Sequence, residues 1–194
     1  ALAWELQYIV SEIMRVRHAQ AELLTEVQRL CQALPEYELL QTIPGIGPVL
    51  AALILGEIGD IRTFHSSRQL LKLAGLDLAR IQSGQLAGAL HISKRGRPAL
   101  RSALYQAAMV AVRHGAPFQL RYLQLIQRHG QAMGMKRKAL IAVACKLLRI
   151  VYHVLKHQQS YQQELVFPQS EGAHDVDQVG ERVVMTNVRA ALGV

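Results

Sequence analysis

The sequence predicts an all-α protein: a long N-terminal coiled-coil helix, a helical domain that contains a helix-hairpin-helix, and a poorly defined C-terminal tail. Three observations predict it. Heptad spacing runs through the first 34 residues, helical runs recur from residue 98 to 157, and proline or glycine punctuates the intervals between runs.

The first element is the clearest. Leu2, Leu6, Ile9, Ile13, Val16, Leu23, Val27, Leu30 and Leu34 alternate spacings of four and three, with Gln20 at the one polar seam position. One helix over residues 1–34 extends about 50 Å at 1.5 Å per residue, more than a small domain covers. A partner helix follows, and with it a homo-oligomer through this helix. The competing reading is an amphipathic helix packed on its own domain. Pro35 is expected to end the helix. These features divide the chain into 1–35, a helical domain at 36–163, and a tail at 164–194.

Residues 36–42 and 48–58 read as two short helices around Ile43-Pro44-Gly45-Ile46-Gly47. Pro48 suits the first turn of the second helix, where its missing N–H costs nothing. Gly45 and Gly47 allow a tight turn and close backbone approach to a ligand. A helix start offers free N–H groups and the positive dipole end, which suits phosphate. That is the logic of a helix-hairpin-helix clamp on a DNA backbone, although an ordinary helical turn uses the same glycines.

Further on, Ser66 and Ser67 are expected to cap a helix over 68–74 that Gly75 ends in the left-handed conformation. Residues 76–96 then read as loop or hairpin. Lys94, Arg95 and Arg97 cluster around Gly96 before a helix over 98–114, whose buried face is Leu100, Leu104, Ala107, Ala108 and Ala111. Two more helices fit residues 118–128 and 136–157. No periodicity marks the tail.

Charge points to the partner. The chain holds 22 Lys and Arg against 14 Asp and Glu, a net +8. Residues 78–163 contain fourteen of the basic side chains and no acidic one, so the rest of the chain sums to −6. His91, His114, His129, His153 and His157 add positive charge to that segment at mildly acidic pH. Solubilising surfaces mix both signs, whereas one-signed charge suits a polyanion whose counterions are released on binding. DNA is therefore the expected partner. The apolar runs at 49–55 and 139–145 are far shorter than the roughly 20 residues that span a bilayer, so no membrane role is expected. No signal peptide opens the sequence, and Cys31 and Cys145 lack metal-ligand spacing and read as small buried hydrophobes. A cytoplasmic protein is expected, and because Ala1 falls within a helical pattern, a fragment of a longer one.

The motifs carry a resemblance. Ile43-Pro44-Gly45-Ile46-Gly47-Pro48, Glu57-Ile58-Gly59-Asp60-Ile61-Arg62, Leu73-Ala74-Gly75-Leu76, Gln82-Ser83-Gly84 and Ile92-Ser93-Lys94-Arg95-Gly96, followed by Leu100-Arg101, occur in this order. Together they resemble the C-terminal domain of the bridge-RNA-guided insertion-sequence transposases, which join an N-terminal RuvC-like DEDD domain to a serine-bearing domain through a coiled coil. The resemblance covers most of residues 1–160. It implies DNA transposition by phosphoryl transfer, with the serine of the Gln-Ser-Gly block, Ser83, as nucleophile and a guide RNA as a further partner.

The chemistry is coherent with the residues. A hydroxyl beside a glycine in an exposed loop reaches a phosphodiester, and a phosphoserine link conserves the bond energy for rejoining. Nearby cations stabilise the charge that develops on the phosphoryl oxygens. Lys94, Arg95, Arg97 and Arg101 are the candidate phosphate contacts, joined by Gly45, Gly47 and by Lys136, Arg137 and Lys138. By spacing alone Ser83 is one loop serine among several, and Ser93 competes with it as a phosphate contact or cap. Two features depart from the family. Residues 85–90 carry no charge where relatives have several cations, and Ile81 replaces an aromatic residue.

Glu57, Asp60 and Asp77 do not substitute for four nuclease carboxylates, so no metal is assigned to this chain and Mg²⁺ is expected in the RuvC-like domain. Two other readings stand beside the recombinase. One is a non-catalytic helix-hairpin-helix module that binds DNA structure; the other is a coiled-coil assembly protein with an incidental basic surface.

Overall fold

The computed structural model describes residues 2–83, 86–129 and 134–163, with backbone alone at 80–83, 86–90 and 129. The element order is α1 (Leu2–Cys31), α2 (Pro35–Gln41), α3 (Pro48–Ile58), a 3₁₀ turn (Ile61–Thr63), α4 (Ser67–Ala74), β1 (Leu78–Ser83), β2 (Leu86–Ile92), α5 (Pro98–His114), α6 (Ala116–His129) and α7 (Met135–His157). The described residues are mainly helical, as the patterning predicts, with one two-stranded antiparallel hairpin among them. The tail at 164–194 lies outside the described residues.

Helix α1 buries none of its 30 residues. Its apolar seam faces solvent, with Leu2, Leu23 and Leu30 at 76%, 67% and 58% exposure. Glu12–Arg15 and Glu26–Arg29 pairs at 2.7 and 2.6 Å run along its surface. Exposed pairs of this kind contribute only about 0.2–0.5 kcal/mol each, too little to explain 30 unburied residues. The helix stops at Cys31 rather than at Pro35. Proline forces its predecessor out of the α region, and Leu34 is extended at φ −103°, so Pro35 opens α2 instead of closing α1.

The core lies between α5 and α7. Helix α7 buries nine side chains, among them Leu147, Leu148, Val151 and Leu155. Helix α5 answers with Leu100, Ala103, Leu104, Ala107, Ala108 and Ala111, and its alanines let α3, α6 and α7 approach closely. Truncating one such leucine to alanine costs about 2–5 kcal/mol. Beyond α7 the chain returns to α2: Tyr161 N–H donates to Thr42 Oγ1 at 2.9 Å, and the Tyr161 ring stacks on buried Phe118 at 6.4 Å.

Three local expectations change. Ser66 stands at the N-cap of α4 but its side chain makes no capping bond; the His65 N–H is met instead by Gln69 Oε1 at 2.7 Å. Asp60 adds an unexpected 3₁₀ turn by accepting from Arg62 N–H at 2.9 Å. Cys31 and Cys145 are free and only half-buried, not fully buried. The Cys145 thiol donates to Leu76 O at 3.8 Å, and burial pushes it above its ordinary pKa. By contrast, Gly75 takes the expected left-handed conformation at φ 65°, ψ 31°.

Candidate nucleic-acid interface

The two glycines of the α2–α3 turn do different things. Gly45 has φ +90°, and a Cβ there would overlap the carbonyl of Ala107 and lie 2.9 Å from Ala111 N. Its bareness lets the turn pack on α5, a packing reason for glycine at this position. Gly47 is the exposed N-cap of α3 at φ −91°, with open space where a Cβ would stand. Pro48 and Val49 beside it are also exposed. The first helical bond is Ala51 N–H to Gly47 O at 2.9 Å, which leaves the start of α3 facing solvent.

The Leu73–Leu76 and Ile92–Gly96 motifs, 19 positions apart in sequence, interlock. Lys94 N–H donates to Gly75 O at 3.0 Å and Arg97 N–H to Leu73 O at 2.7 Å. A Cβ on Gly96 would overlap Leu73 O and stand 2.6 Å from Gly75 N, and one on Gly75 would lie 2.9 Å from the Lys94 carbonyl carbon. Both glycines therefore permit backbone to lie on backbone. Lys94 itself is left-handed at φ 54°, uncommon for a residue with a Cβ.

This joint sorts the cations. Lys94 and Arg95 are exposed. Arg97 reaches back to α3, donating to Glu57 O at 2.6 Å and pairing with the Glu57 carboxylate at 3.7 Å. Arg101 is half-buried and donates to Ala74 O at 2.9 Å. Of the four cations that the sequence assigns to phosphate, Arg101 is thus a strut and Arg97 is shared. Lys136, Arg137 and Lys138 are exposed on the first turn of α7, after left-handed Gly134 at φ 87°.

Other cations join the surface without having been singled out by motif. Arg68 and Lys72 are exposed on α4, whose last turn lies against Gly96. Arg121 and Arg149 are exposed on α6 and α7, with half-buried Lys146 close enough to feel both. Desolvation, then Arg149, then Arg121 hold the Lys146 ammonium below its ordinary pKa. The three-residue spacing of Lys146 and Arg149 on one helix was the available signal. No acidic side chain stands in the first turn of α3, α4, α5, α6 or α7. Helix starts ordinarily favour acids, and these five carry none.

The carboxylates are engaged locally. Glu57 holds Arg97, and Asp60 caps the 3₁₀ turn while Arg62 Nε bonds it at 3.0 Å. The Arg62 side chain, and then its backbone N–H, keep the Asp60 carboxyl below its ordinary pKa. Asp77 accepts the hydroxyl of Ser93, whose oxygen also accepts from Arg95 N–H at 3.3 Å. Ser93 therefore clasps the loop, and the N-cap of α5 is Arg97. Among the described residues no three His, Cys, Asp or Glu side chains converge on a metal-sized site.

Ser83 is the last residue of β1, paired with Leu86 on β2; its side chain, with Gly84 and Gln85, lies outside the described residues. The register runs from Leu78↔Ile92 at the base to Ser83↔Leu86, with an irregularity between Arg80 and Gln82. Five strand steps of about 3.3 Å put Ser83 roughly 16 Å from that base. The basic loop at 93–97 follows the base, so Ser83 and the tightest cation cluster sit at opposite ends of the hairpin.

Residues 37–123, which contain the α2–α3 turn, the interlocked motifs and the hairpin, match the transposase IS116/IS110/IS902 family. The chain is 31% identical over 160 residues to the transposase for insertion sequence element IS1111A of Coxiella burnetii, covering 80% of this chain and 43% of that protein. It is 39% identical over 116 residues to a putative transposase, y4rJ, of Sinorhizobium fredii, covering 59% and 29%. It is 30% identical over 145 residues to the pilin gene-inverting protein of Moraxella bovis, covering 72% and 44%. The chain spans less than half the length of these curated relatives. The likeness to the transposase IS116/IS110/IS902 family therefore lies over residues 37–123, fewer than half of the 194 residues.

Proposed function

We propose that this chain is the DNA-binding and strand-joining part of a recombinase that moves an insertion sequence by phosphoryl transfer, with Ser83 as nucleophile. The observation that carries the binding half is the acid-free segment 78–163, whose Lys94, Arg95, Arg121, Lys136, Arg137, Lys138 and Arg149 are exposed. Phosphates neutralised by such cations release counterions, so binding weakens steeply with salt. Exposed Gly47 at the start of α3 supports a helix-hairpin-helix contact to the DNA backbone.

The chemical half rests on the family domain and on the Gln82-Ser83-Gly84 block that falls inside it. The Ser83 hydroxyl oxygen forms a bond to phosphorus, the bond from phosphorus to one sugar oxygen breaks, and the hydroxyl proton ends on the departing sugar oxygen. Reversal with a new sugar hydroxyl rejoins the strand and frees Ser83, with no net loss of phosphodiester bonds. Mg²⁺, bound by the carboxylates of a RuvC-like domain outside this chain, supplies charge stabilisation. The chain's own task is to hold DNA and present the hydroxyl. The unburied seam of α1 is the oligomer contact, a guide RNA supplies target choice, and the protein works in the cytoplasm with no membrane partner.

The test uses the protein with its RuvC-like domain. Ser83→Ala abolishes covalent protein–DNA adducts while DNA affinity stays within about threefold, a change of under about 0.7 kcal/mol. Adducts that persist assign the nucleophile elsewhere.

A further inference from the structure

The hairpin pairs with itself, and among the described residues it meets the helical body chiefly at its base. One residue closes that base. Ser93 N–H donates to Asp77 O at 2.8 Å, its hydroxyl donates to the Asp77 carboxylate, and the same oxygen accepts from Arg95 N–H at 3.3 Å. Both side chains are half-buried. The next residues are tied the other way, to the end of α4, through Lys94 N–H to Gly75 O and Arg97 N–H to Leu73 O. Lys94 holds its left-handed turn between these two sets of bonds. Ser93 is thus the joint between the hairpin and the loop that exposes Lys94 and Arg95.

We propose that Asp77 and Ser93 are positioning residues, whose clasp fixes the direction of the hairpin and hence the place of Ser83 relative to DNA held by Lys94 and Arg95. This rests on Ser83 being the nucleophile. The lever arm makes the clasp matter. A 10° rocking at the base moves a point about 16 Å away by about 3 Å, and about 1 Å of misplacement already costs up to about 100-fold in rate. The Ser93 oxygen that meets Asp77 also accepts from Arg95 N–H, so the hairpin takes its direction from the cationic loop, which keeps its own anchorage on α4 through Lys94 and Arg97. A clasp that served only stability would be indifferent to where the tip points.

The test again uses the protein with its RuvC-like domain. Asp77→Ala, Ser93→Ala and Ser93→Thr are compared for DNA affinity and for the rate of adduct formation at saturating DNA. In a Cys31→Ser, Cys145→Ala background, spin labels at Leu86→Cys and Gln127→Cys report the hairpin-to-body distance distribution without DNA. The clasp predicts affinity within about twofold, adduct formation slowed about 10- to 100-fold in both alanine variants, a broadened distribution, and a near-normal rate in Ser93→Thr, which keeps the hydroxyl. Unchanged rates overturn it, as does a loss of affinity equal to the loss of rate with an unchanged distribution. If Asp77→Ala fails to fold, the Ser93 pair decides: equal rates for Ser93→Ala and Ser93→Thr overturn the proposal. Should Ser83→Ala still form adducts, the nucleophile reading falls, and the distance distribution alone judges the clasp: broadening upholds it and an unchanged width overturns it.

Discussion

The guanidinium of Arg101 on α5 donates to the carbonyl oxygen of Ala74 at 2.9 Å, so a cation from the basic segment caps the end of α4. A charge-assisted hydrogen bond of this kind contributes about 1.5–3 kcal/mol, and its loss leaves a carbonyl without its donor. Arg101→Ala therefore lowers unfolding free energy by about 1.5–3 kcal/mol in urea titrations. Lys94→Ala and Arg95→Ala, which remove exposed charges, stay within about 0.5 kcal/mol of the parent yet weaken DNA binding more than their stability change suggests. The reverse ranking would place Arg101 on DNA.

The two turn glycines separate packing from exposure. Gly45→Ala meets both a left-handed φ of +90° and overlap with Ala107, and is expected to cost about 2 kcal/mol or more. Gly47→Ala has open space and an ordinary φ of −91°, and is expected to cost about 1 kcal/mol or less, the difference between glycine and alanine at an N-cap. Thermal unfolding of the two variants checks this. Equal losses would mean that the turn does not pack on α5 as described.

Much of this was legible beforehand. Pro48 and Pro98 announced their helices because proline at the first helical position gives up no hydrogen bond, and both helices begin there. Gly75 announced its left-handed cap, and the spacing of Leu100, Leu104, Ala107, Ala108 and Ala111 gave the buried face of α5. What stayed hidden depends on partners distant in sequence. Arg101 looks like a phosphate ligand until α4 arrives 27 residues upstream to accept its hydrogen bond. Gly45 looks like a ligand-approach glycine until α5 occupies the space where its side chain would be. Ser93 and Asp77 are likewise joined across the whole hairpin.

Lys136, Arg137 and Lys138 stand at the positive end of the α7 dipole, where cations are disfavoured by about 0.3–1 kcal/mol each. Replacing all three by glutamine should raise the melting temperature slightly while lowering the slope of log affinity against log salt by about 2–3, since each phosphate contact contributes about 0.9. Titrations of DNA between low and moderate salt measure the slope. Binding that ignores salt would instead favour a coiled-coil assembly protein.

Acid stability has a local source in Asp60. Arg62 lowers its carboxyl pKa in the folded chain, so the unfolded chain takes up the proton first as pH falls. The contribution is therefore complete above the ordinary aspartate value of about 4 and is lost as pH falls through the lower folded value. Asp60→Asn removes that acid-range dependence, and the stability difference between variant and parent narrows below about pH 4. A constant gap from pH 7 to pH 2 would contradict the pairing.

The central claim is that Ser83 joins to DNA. Trapping the covalent complex in the protein with its RuvC-like domain, digesting both components and locating the nucleotide-bearing residue by mass spectrometry tests it most directly. The account predicts a nucleotide phosphate on Ser83, in the peptide that ends β1. A nucleotide on Ser93, Ser66, Ser67 or any other side chain would contradict it.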